Sequence, residues 1–194
     1  MRSRPRFRDD GRAGVSVFLE TARLRIRDKE ASDLDFLAGL SANPAVMRWI
    51  GDGRTYPRGE IEARLAIVLE RERQTEHERW DSFTILERKD DGVRVGQAGI
   101  LHCEVDGKPE VEIGWWLAPE AWGRGYATEA AIALRDYAFG TAGVERLVIV
   151  LHAENRRSVA VAERIGGAGP RSAAYRGQTV TCYTVLPATS AGVG

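Results

Sequence analysis

The sequence predicts a protein of the α/β (α+β) class with one mixed sheet, mostly antiparallel, that holds a central parallel strand pair. Three strand-like segments in the middle of the chain are joined by short turns of the Asp-Gly type, which are typical of antiparallel hairpins. The chain then runs strand, helix, strand, and such a crossover places two strands parallel. Helical segments before and after these strands provide the layers that flank the sheet.

The composition favours one globular domain. The chain has 194 residues, of which 43% are hydrophobic and 29% charged, and its formal net charge is zero. We expect the domain at 15–188, with disordered tails at 1–14 and 189–194. The charge balance argues against nucleic-acid binding, and the lack of an apolar run of about 20 residues argues against a membrane span. Since no secretory signal is found, we expect a cytoplasmic protein, monomeric or homodimeric.

The cysteines and histidines do not form a metal or redox motif. Cys103 and Cys182 lie in separate strand-like segments, so we expect two buried thiols of a reduced compartment. His77, His102 and His152 lack the spacing of zinc ligands. We therefore expect no metal.

The first elements are a strand and a capped helix. The segment "ARLRIRD" at 22–28 alternates, with Leu24 and Ile26 on one face and three arginines on the other, as in a half-buried strand. Ser32 then stands where a helix cap is expected, before leucines at helical spacing.

A second helix follows a short helical turn. Pro44 interrupts the first helix, and 44–53 predicts a turn that ends in two glycines. The segment 57–77 predicts a longer helix. Its apolar stripe consists of Ile61, Leu65, Val68 and Leu69.

The remaining elements alternate in type. We predict strands at 81–88, 93–105 and 111–117, a helix at 127–140, a buried strand at 146–153, a helix at 158–167 and a last strand at 179–186. The continuous apolar run of the fourth of these strands is typical of a strand that is covered on both faces.

A glycine loop joins the third strand of the meander to the next helix. Gly123 and Gly125 permit backbone angles that are closed to other residues, and Arg124 between them adds a positive charge. Unpaired amides at the start of a helix bind anions, so the loop favours a phosphate or pyrophosphate. The alternative is a tight strand-to-helix turn whose glycines serve packing. Neither the dinucleotide fingerprint nor the kinase-type P-loop matches.

The strand before the loop carries a carboxylate. In "VEIGWWL" at 111–117, alternation puts Glu112, Gly114 and Trp116 on one face. Glu112 is either a solvent-facing or salt-bridged residue, or a general base at the bottom of a cleft.

Two polar residues follow the second strand of the crossover. Asn155 is either a loop residue bonded to its own backbone or a ligand-binding residue, and Ser158 is either a helix cap or part of a site. The functional interpretation places both at the carboxyl ends of adjacent parallel strands, where open α/β sheets bind ligands.

Three segments together resemble the GNAT superfamily of acetyl-CoA-dependent N-acetyltransferases. They are "LETARLRIRD", "VEIGWWLAPEAWGRGYATEA" and "NRRSVAVAERIGG", and their pattern is most similar to the Rim-type branch, which includes ribosomal-protein N-terminal acetyltransferases. The resemblance covers Phe18 to Pro187. It implies a GNAT-like sheet in which the parallel pair splays apart and coenzyme A fills the gap as a pseudo-strand.

The resemblance also implies the residues that bind acetyl-CoA. They are Trp115, Trp116, Leu117, Trp122, Gly123, Arg124, Gly125, Tyr126, Ala127, Thr128, Asn155 and Ser158. The sequence departs from the common pattern at three positions. Trp122 stands where Gln or Arg is usual, Ala162 replaces a tyrosine acid, and Gly167 stands where an aromatic residue often follows the helix.

The chemistry that we expect is transfer of an acetyl group to the amine of a protein N-terminus or a small molecule. Glu112 would take the amine proton, a backbone amide of its strand would stabilise the oxyanion, and Ser158 would protonate the thiolate or only position it. Trp49 and Asp52, from a segment that is either a lid or a plain loop, would bind the acceptor with Glu112. The alternatives are a non-catalytic coenzyme A binding module and a structural protein with an incidental loop.

Overall fold

The computed structural model describes residues 16–73 and 80–188. The tails expected at 1–14 and 189–194 lie outside the described residues, as do His77 and the last part of the helix predicted at 57–77.

The core of the fold is an eight-stranded sheet in the order β1-β2-β3-β4-β5-β6-β8-β7. All neighbours are antiparallel except β5 and β6, which are parallel. This confirms the predicted fold class. The strands are β1 (Val17–Glu20), β2 (Leu24–Arg27), β3 (Ser82–Arg88), β4 (Arg94–Val105), β5 (Lys108–Leu117), β6 (Leu147–Leu151), β7 (Ala168–Tyr175) and β8 (Gln178–Val185).

Helices cover both faces of the sheet. They are α1 (Leu34–Ala42), α2 (Pro44–Met47), α3 (Arg58–Arg73), α4 (Tyr126–Gly140) and α5 (Arg156–Arg164). The larger core packs α4 and α5 against one face, with Ile113 and Leu134 among its buried members. A smaller core packs α1 and α3 against Ile85 on the opposite face. None of the described helices is both long and apolar enough to cross a bilayer.

Two strands were not predicted. β7, with the sequence "AGPRSAAY", is largely exposed and contains glycine and proline, so it has neither alternation nor β-branched residues to signal a strand. β1 has only four residues. β1 is short and β7 has a weak sequence pattern, and each is held in place by pairing with a neighbouring strand.

The predicted Ser32 cap is wrong. A 3-10 turn at Ala31–Asp33 precedes α1, and its capping box is formed by Glu30 and Asp33. The Asp33 carboxylate accepts the Glu30 amide at 2.8 Å, whereas the Ser32 hydroxyl contacts only the side chains of Glu30 and Arg94. Asp33, whose carboxylate is also bound by arginines, therefore has the capping role that was predicted for the Ser32 hydroxyl one position earlier.

We expected the arginine face of β2 to be exposed to solvent. For Arg27 this expectation is wrong. Arg27 is 2% exposed and Asp33 is fully buried. The Arg27 guanidinium donates to both Asp33 oxygens at 2.8 and 2.9 Å and to Glu87 at 3.0 Å, and Arg94 donates to Asp33 from β4. This ionic cluster joins β2, β3, β4 and the start of α1.

The parallel pair positions the site. β5 and β6 have one registered pair in the described chain, Glu112 with Val148. β5 continues for five residues beyond Glu112 to Leu117, and no partner on the β6 side is registered for them. The sheet is therefore open between the carboxyl-terminal ends of β5 and β6, next to the glycine loop.

Candidate active site

The glycine loop enters α4 through two left-handed residues. Gly123 has a φ of 72° and Gly125 a φ of 81°, a region that other L-residues rarely adopt. Gly125 is the N-cap of α4, and no side chain caps the helix. The first amides of α4 are thus free of a side-chain acceptor, and the positive end of the helix dipole lies beside them.

A clamp from the turn between β1 and β2 holds this loop. The Arg23 guanidinium pairs with the Glu129 carboxylate at 2.6 Å and donates to the Arg124 carbonyl at 3.0 Å. The Thr21 hydroxyl and the Arg23 amide donate to the same carboxylate at 2.5 and 2.8 Å. The Arg23 side chain also lies over the ring of Tyr126, 4.7 Å from its centroid. The loop shape is therefore fixed by residues more than 100 positions away.

A cavity of about 870 Å³ runs from the loop to α5 at the open edge of the sheet. Its lining includes most of the residues that the sequence assigned to cofactor binding. These are Trp115, Trp116, Leu117, Trp122, Gly123, Gly125, Tyr126, Ala127, Thr128, Asn155 and Ser158. Trp49 from the segment after α2 lines it as well.

Three sequence-predicted residues lie outside that lining. Arg124 is exposed, and its main-chain carbonyl is held by Arg23. The exposed Asp52 accepts the Arg54 amide at 3.2 Å and pairs with the Arg54 side chain at 3.4 Å. Glu112 lies three residues before the cavity lining begins on β5. Trp116, which shares a face with Glu112, connects it to the cavity.

Arginines give the cavity a positive wall. Arg156, Arg157 and Arg164 line it from α5. Within the described chain none of the three has an ion pair, and the Arg157 guanidinium lies 4.6 Å from the ring centroid of Trp122. The Trp122 indole donates to the Leu117 carbonyl at 2.9 Å. Trp122 is thus bound to the end of β5, and its ring contacts the Arg157 guanidinium next to the glycine loop.

The start of α5 distinguishes the two interpretations of Ser158, as a helix cap or as part of a site. Asn155 is the N-cap, and its side-chain oxygen accepts the Ser158 amide at 3.3 Å. The helix-cap interpretation of Ser158 is therefore wrong. The Ser158 hydroxyl has no hydrogen-bond partner in the part of the chain that the structure describes, and Ser158 lines the cavity. That hydroxyl is free to bond a bound molecule.

The two departures on the carboxyl-terminal side of α5 have a steric basis. Ala162 is fully buried in the larger core. A Cβ on Gly167 would lie 2.7 Å from the Ala162 carbonyl oxygen, closer than real contacts allow. An aromatic residue at 167 is thus incompatible with this turn.

Glu112 lies in a separate corner of the site. The Tyr175 hydroxyl donates to Glu112 Oε2 at 2.6 Å. Burial raises the pKa of Glu112 above its ordinary value, and the Tyr175 hydrogen bond and the Arg176 charge offset part of that rise. The carboxylate is half-buried, and in the described structure it is hydrogen-bonded rather than salt-bridged.

The other carboxylate oxygen, Oε1, has no hydrogen-bond partner in the part of the chain that the structure describes. The main chain at Gly114 packs close to it: a Cβ on Gly114 would lie 3.5 Å from Glu112 Oε1 and 3.1 Å from Phe83 Cζ. The Phe83 ring packs edge-to-face on Trp116, with 5.7 Å between the ring centroids. Glycine at 114 therefore allows the Glu112 carboxylate and the Phe83 ring to lie close to β5.

Cys103 lies near this corner but is not set up as a nucleophile. Burial, followed by the nearby charges of Glu112 and Glu110, raises the pKa of its thiol to about 12. Since the thiolate is the reactive form, the thiol is inert at neutral pH. Both cysteines are free.

Sequence reasoning missed several residues of the site. Arg23 and Glu129 form the loop clamp, Arg157 stacks on Trp122, and Tyr175 bonds Glu112. Arg23 stood in the predicted strand, and an arginine in an otherwise alternating strand gives no hint of a partner beyond 100 positions. Tyr175 precedes an Arg-Gly pair that predicts a turn, which was its only local signal.

Comparisons with known proteins agree with this arrangement. The family described as Acetyltransferase (GNAT) domain matches residues 23–168. The uncharacterized protein YkkB of Bacillus subtilis (strain 168) is 35% identical, over 76% of this chain and 83% of its own length. The crystal structure of an acetyltransferase from Agrobacterium tumefaciens str. C58 is similar with a TM-score of 0.70 and 30% identity, covering 96% of this chain and 100% of that one.

A more distant structure is similar in fold. The spermidine N-acetyltransferase from Vibrio cholerae, in complex with CoA and spermine, has a TM-score of 0.63 and 19% identity, covering 84% of this chain and 95% of that one. That structure contains coenzyme A on the same fold.

Proposed function

The chain belongs to the GNAT family of acetyl-CoA-dependent N-acetyltransferases, and on that basis we propose that it acetylates an amine by direct attack in a ternary complex, with Glu112 as the general base. One observation carries the proposal: a half-buried carboxylate, hydrogen-bonded and with a raised pKa, stands at the registered pair after which β5 and β6 separate. A base at that point lies three residues before the cavity lining begins on β5, on the side where we place the acyl group of the carrier.

The cavity fits coenzyme A. The uncapped start of α4 offers amides to a pyrophosphate, and three arginines of α5 without ion pairs in the described chain add positive charge. The unpaired edge of β5 offers backbone groups to a pantetheine arm. Bound there, acetyl-CoA supplies an activated acetyl thioester. The residues that we assign to holding it are those named from the sequence, with Arg124 contributing through its main chain.

Glu112 would accept the proton of the attacking amine. An amine is protonated at neutral pH, since its ordinary pKa is about 10.4 for a lysine side chain and about 8 for a chain terminus. A carboxylate with a raised pKa is a better base than an exposed one. Because Glu112 must be ionised to act, the rate rises as the pH rises through its pKa.

Two further groups complete the proposed chemistry. A backbone amide between Gly114 and Leu117 would stabilise the oxyanion. The Ser158 hydroxyl would donate to the departing sulfur, as an acid or as a positioning group. Cys103 takes no part, so no acetyl-enzyme forms.

The acceptor that we propose is a cationic primary amine. It would approach Glu112 Oε1, where the negative charge of the carboxylate attracts a cation. Trp49 lines the cavity on the side of α2 and would contact the acceptor, and Asp52 would do so only after its segment moves. The Vibrio cholerae relative, with spermine bound, is an example of a polyamine acceptor on this fold. A protein N-terminus, as in the Rim-type branch, is the other acceptor class.

Glu112→Gln tests the base assignment. We expect kcat to fall by about 10²-fold or more and its dependence on the ionisation of Glu112 to disappear, while binding of acetyl-CoA is retained. The measurement is thiol release with a panel of polyamines, aminoglycosides, amino acids and peptides, together with calorimetric titration of acetyl-CoA. Glu110→Gln is the matched control, since Glu110 lies on the same strand and pairs with Arg146.

The outcomes separate the candidates. Full transfer activity in Glu112→Gln would remove Glu112 from the role of base. Binding of acetyl-CoA without transfer to any amine by the unaltered protein would favour a non-catalytic binding module.

A further inference from the structure

We propose that Tyr175 is a positioning residue for the base: its hydroxyl holds Oε2 of Glu112 and leaves Oε1 as the atom that takes the amine proton. The inference depends on the proposed role of Glu112. It adds a residue 63 positions away, at the end of a strand with no sequence signal.

The hydrogen bond assigns different roles to the two carboxylate oxygens. A tyrosine hydroxyl has a single proton to donate, and Tyr175 donates it to Oε2, with 2.6 Å between the two oxygens. Oε1 has no hydrogen-bond partner in the described chain and lies 3.5 Å from where a Cβ on Gly114 would stand. A carboxylate on a strand would otherwise rotate about its terminal torsion, which is broad. Because this hydrogen bond fixes Oε2, the orientation of Oε1 is fixed as well.

The hairpin between β7 and β8 fixes Tyr175 from its other side. Tyr175 and Gln178 are a registered pair, and the two residues between them have φ values of 49° for Arg176 and 77° for Gly177. Two positive φ angles define a type I′ turn, which ends the strand directly after Tyr175. The Arg176 guanidinium lies 5.2 Å from the ring centroid of Tyr175. The ring is therefore held between a cation and the sheet.

The residue at the first turn position makes this hairpin unusual. The turn between β4 and β5 has the same form, with φ values of 53° for Asp106 and 72° for Gly107. Aspartate is favoured there, and Asp106 bonds the Ala174 amide at 2.7 Å. Arginine has no side-chain acceptor for such a bond, and Arg176 has no ion pair in the described chain. A left-handed arginine costs energy and persists where the surroundings require it; here it covers Tyr175.

The proton balance is simple. The amine N–H bond breaks and an Oε1–H bond forms, while the Tyr175 O–H bond stays intact. Burial, together with the neighbouring Glu112 charge, raises the pKa of Tyr175 above its ordinary value, so the hydroxyl remains a donor. The charged or titratable side chains that face Glu112 are Cys103 from β4, Tyr175 from β7 and Arg176 from the turn, whereas β6 presents Val148.

Tyr175→Phe removes the hydroxyl and keeps the ring under Arg176. We expect kcat to fall about tenfold, as for loss of a hydrogen bond to a charged group. The acid limb of the kcat profile should move to higher pH, because the bond stabilises the ionised form of Glu112. The KM for acetyl-CoA should not change, since Tyr175 does not line the cavity. Tyr183→Phe on β8, a buried hydroxyl loss outside the site, should leave the pH limb in place.

Four proteins separate this inference from the proposed function: the unaltered chain, Glu112→Gln, Tyr175→Phe and the double variant. Support requires a shifted limb in Tyr175→Phe and no further loss when it is added to Glu112→Gln. An unmoved limb, or equal losses in both backgrounds, would refute the role of Tyr175 while leaving Glu112 as the base. An active Glu112→Gln would instead remove Glu112 from the role of base, on which this inference depends. If Tyr175→Phe does not fold, Tyr175→Met, which adds no titratable group, applies the same criteria.

Discussion

The two halves of the site are built in different ways. The proposed cofactor half lies mainly in the stretch from Trp115 to Thr128, with Asn155 and Ser158 from α5, and its expected donors are main-chain amides shaped by two glycines. The proposed acceptor half uses single side chains from distant positions: Phe83, Glu112 and Tyr175. The difference indicates that the shape of the loop determines cofactor binding, whereas individual functional groups determine reaction with the acceptor. Substitutions should therefore affect one half without affecting the other.

Gly125→Ala gives the largest effect in the cofactor half. It places a Cβ at a φ of 81° and 3.3 Å from the Arg23 guanidinium, so the helix entry must change. The cost of a left-handed alanine, about 1–2 kcal/mol, predicts that the KM for acetyl-CoA rises about tenfold. Steady-state kinetics with varied acetyl-CoA measures it, and the KM for the acceptor should stay the same.

Gly140→Ala is the matched control at the other end of α4. Its Cβ would meet no atom within 4 Å, so acetyl-CoA kinetics should be unaltered. Equal effects of the two glycine substitutions would mean that helix stability, rather than loop shape, determines cofactor binding.

Gly114→Ala acts on the acceptor half with a smaller effect. Its Cβ would lie 3.1 Å from the Phe83 ring and 3.5 Å from Glu112 Oε1, so the ring beside the carboxylate must shift. An overpacking cost of about 1 kcal/mol predicts a rise of about fivefold in the KM for the amine, with the KM for acetyl-CoA unchanged. Kinetics with each substrate varied in turn distinguish the two constants. A rise confined to acetyl-CoA would contradict the division into halves.

Glu129→Gln gives the smallest effect and tests the clamp that joins the loop to the turn between β1 and β2. Arg23 is half exposed, with 50% of its side-chain surface accessible, so the ion pair is screened by solvent. We expect the Kd for acetyl-CoA to rise about twofold, with less difference at high salt. Calorimetric titration at two ionic strengths measures this. Glu120→Gln, at an exposed position in the 3-10 turn before the loop, should have no effect.

The contrast also explains what the sequence predicted. The loop, the helix after it and the face that carries Glu112 were predicted because each has a sequence signal within a few positions, although the Arg23 clamp that holds the loop was not. The partner of Glu112 was not, because Tyr175 lies on a strand without a pattern and the contact spans 63 positions. Asp52 was assigned to the acceptor from its segment alone, and the structure shows it bonded to Arg54. Alternation predicts the face on which a side chain lies but not its partner.

The ionic cluster under β2 has a consequence for the whole molecule in acid. Burial pushes the pKa of Asp33 up, but hydrogen bonds from Arg27 and the Glu30 amide outweigh it and hold the pKa below 3.8. The unfolded chain therefore takes up this proton first, so the stability that Asp33 contributes is present above pH 3.8 and is lost as the pH falls through its lower native value. Since the pair is buried, added salt screens it little. Acid unfolding should accordingly begin at the end of the sheet farthest from β7.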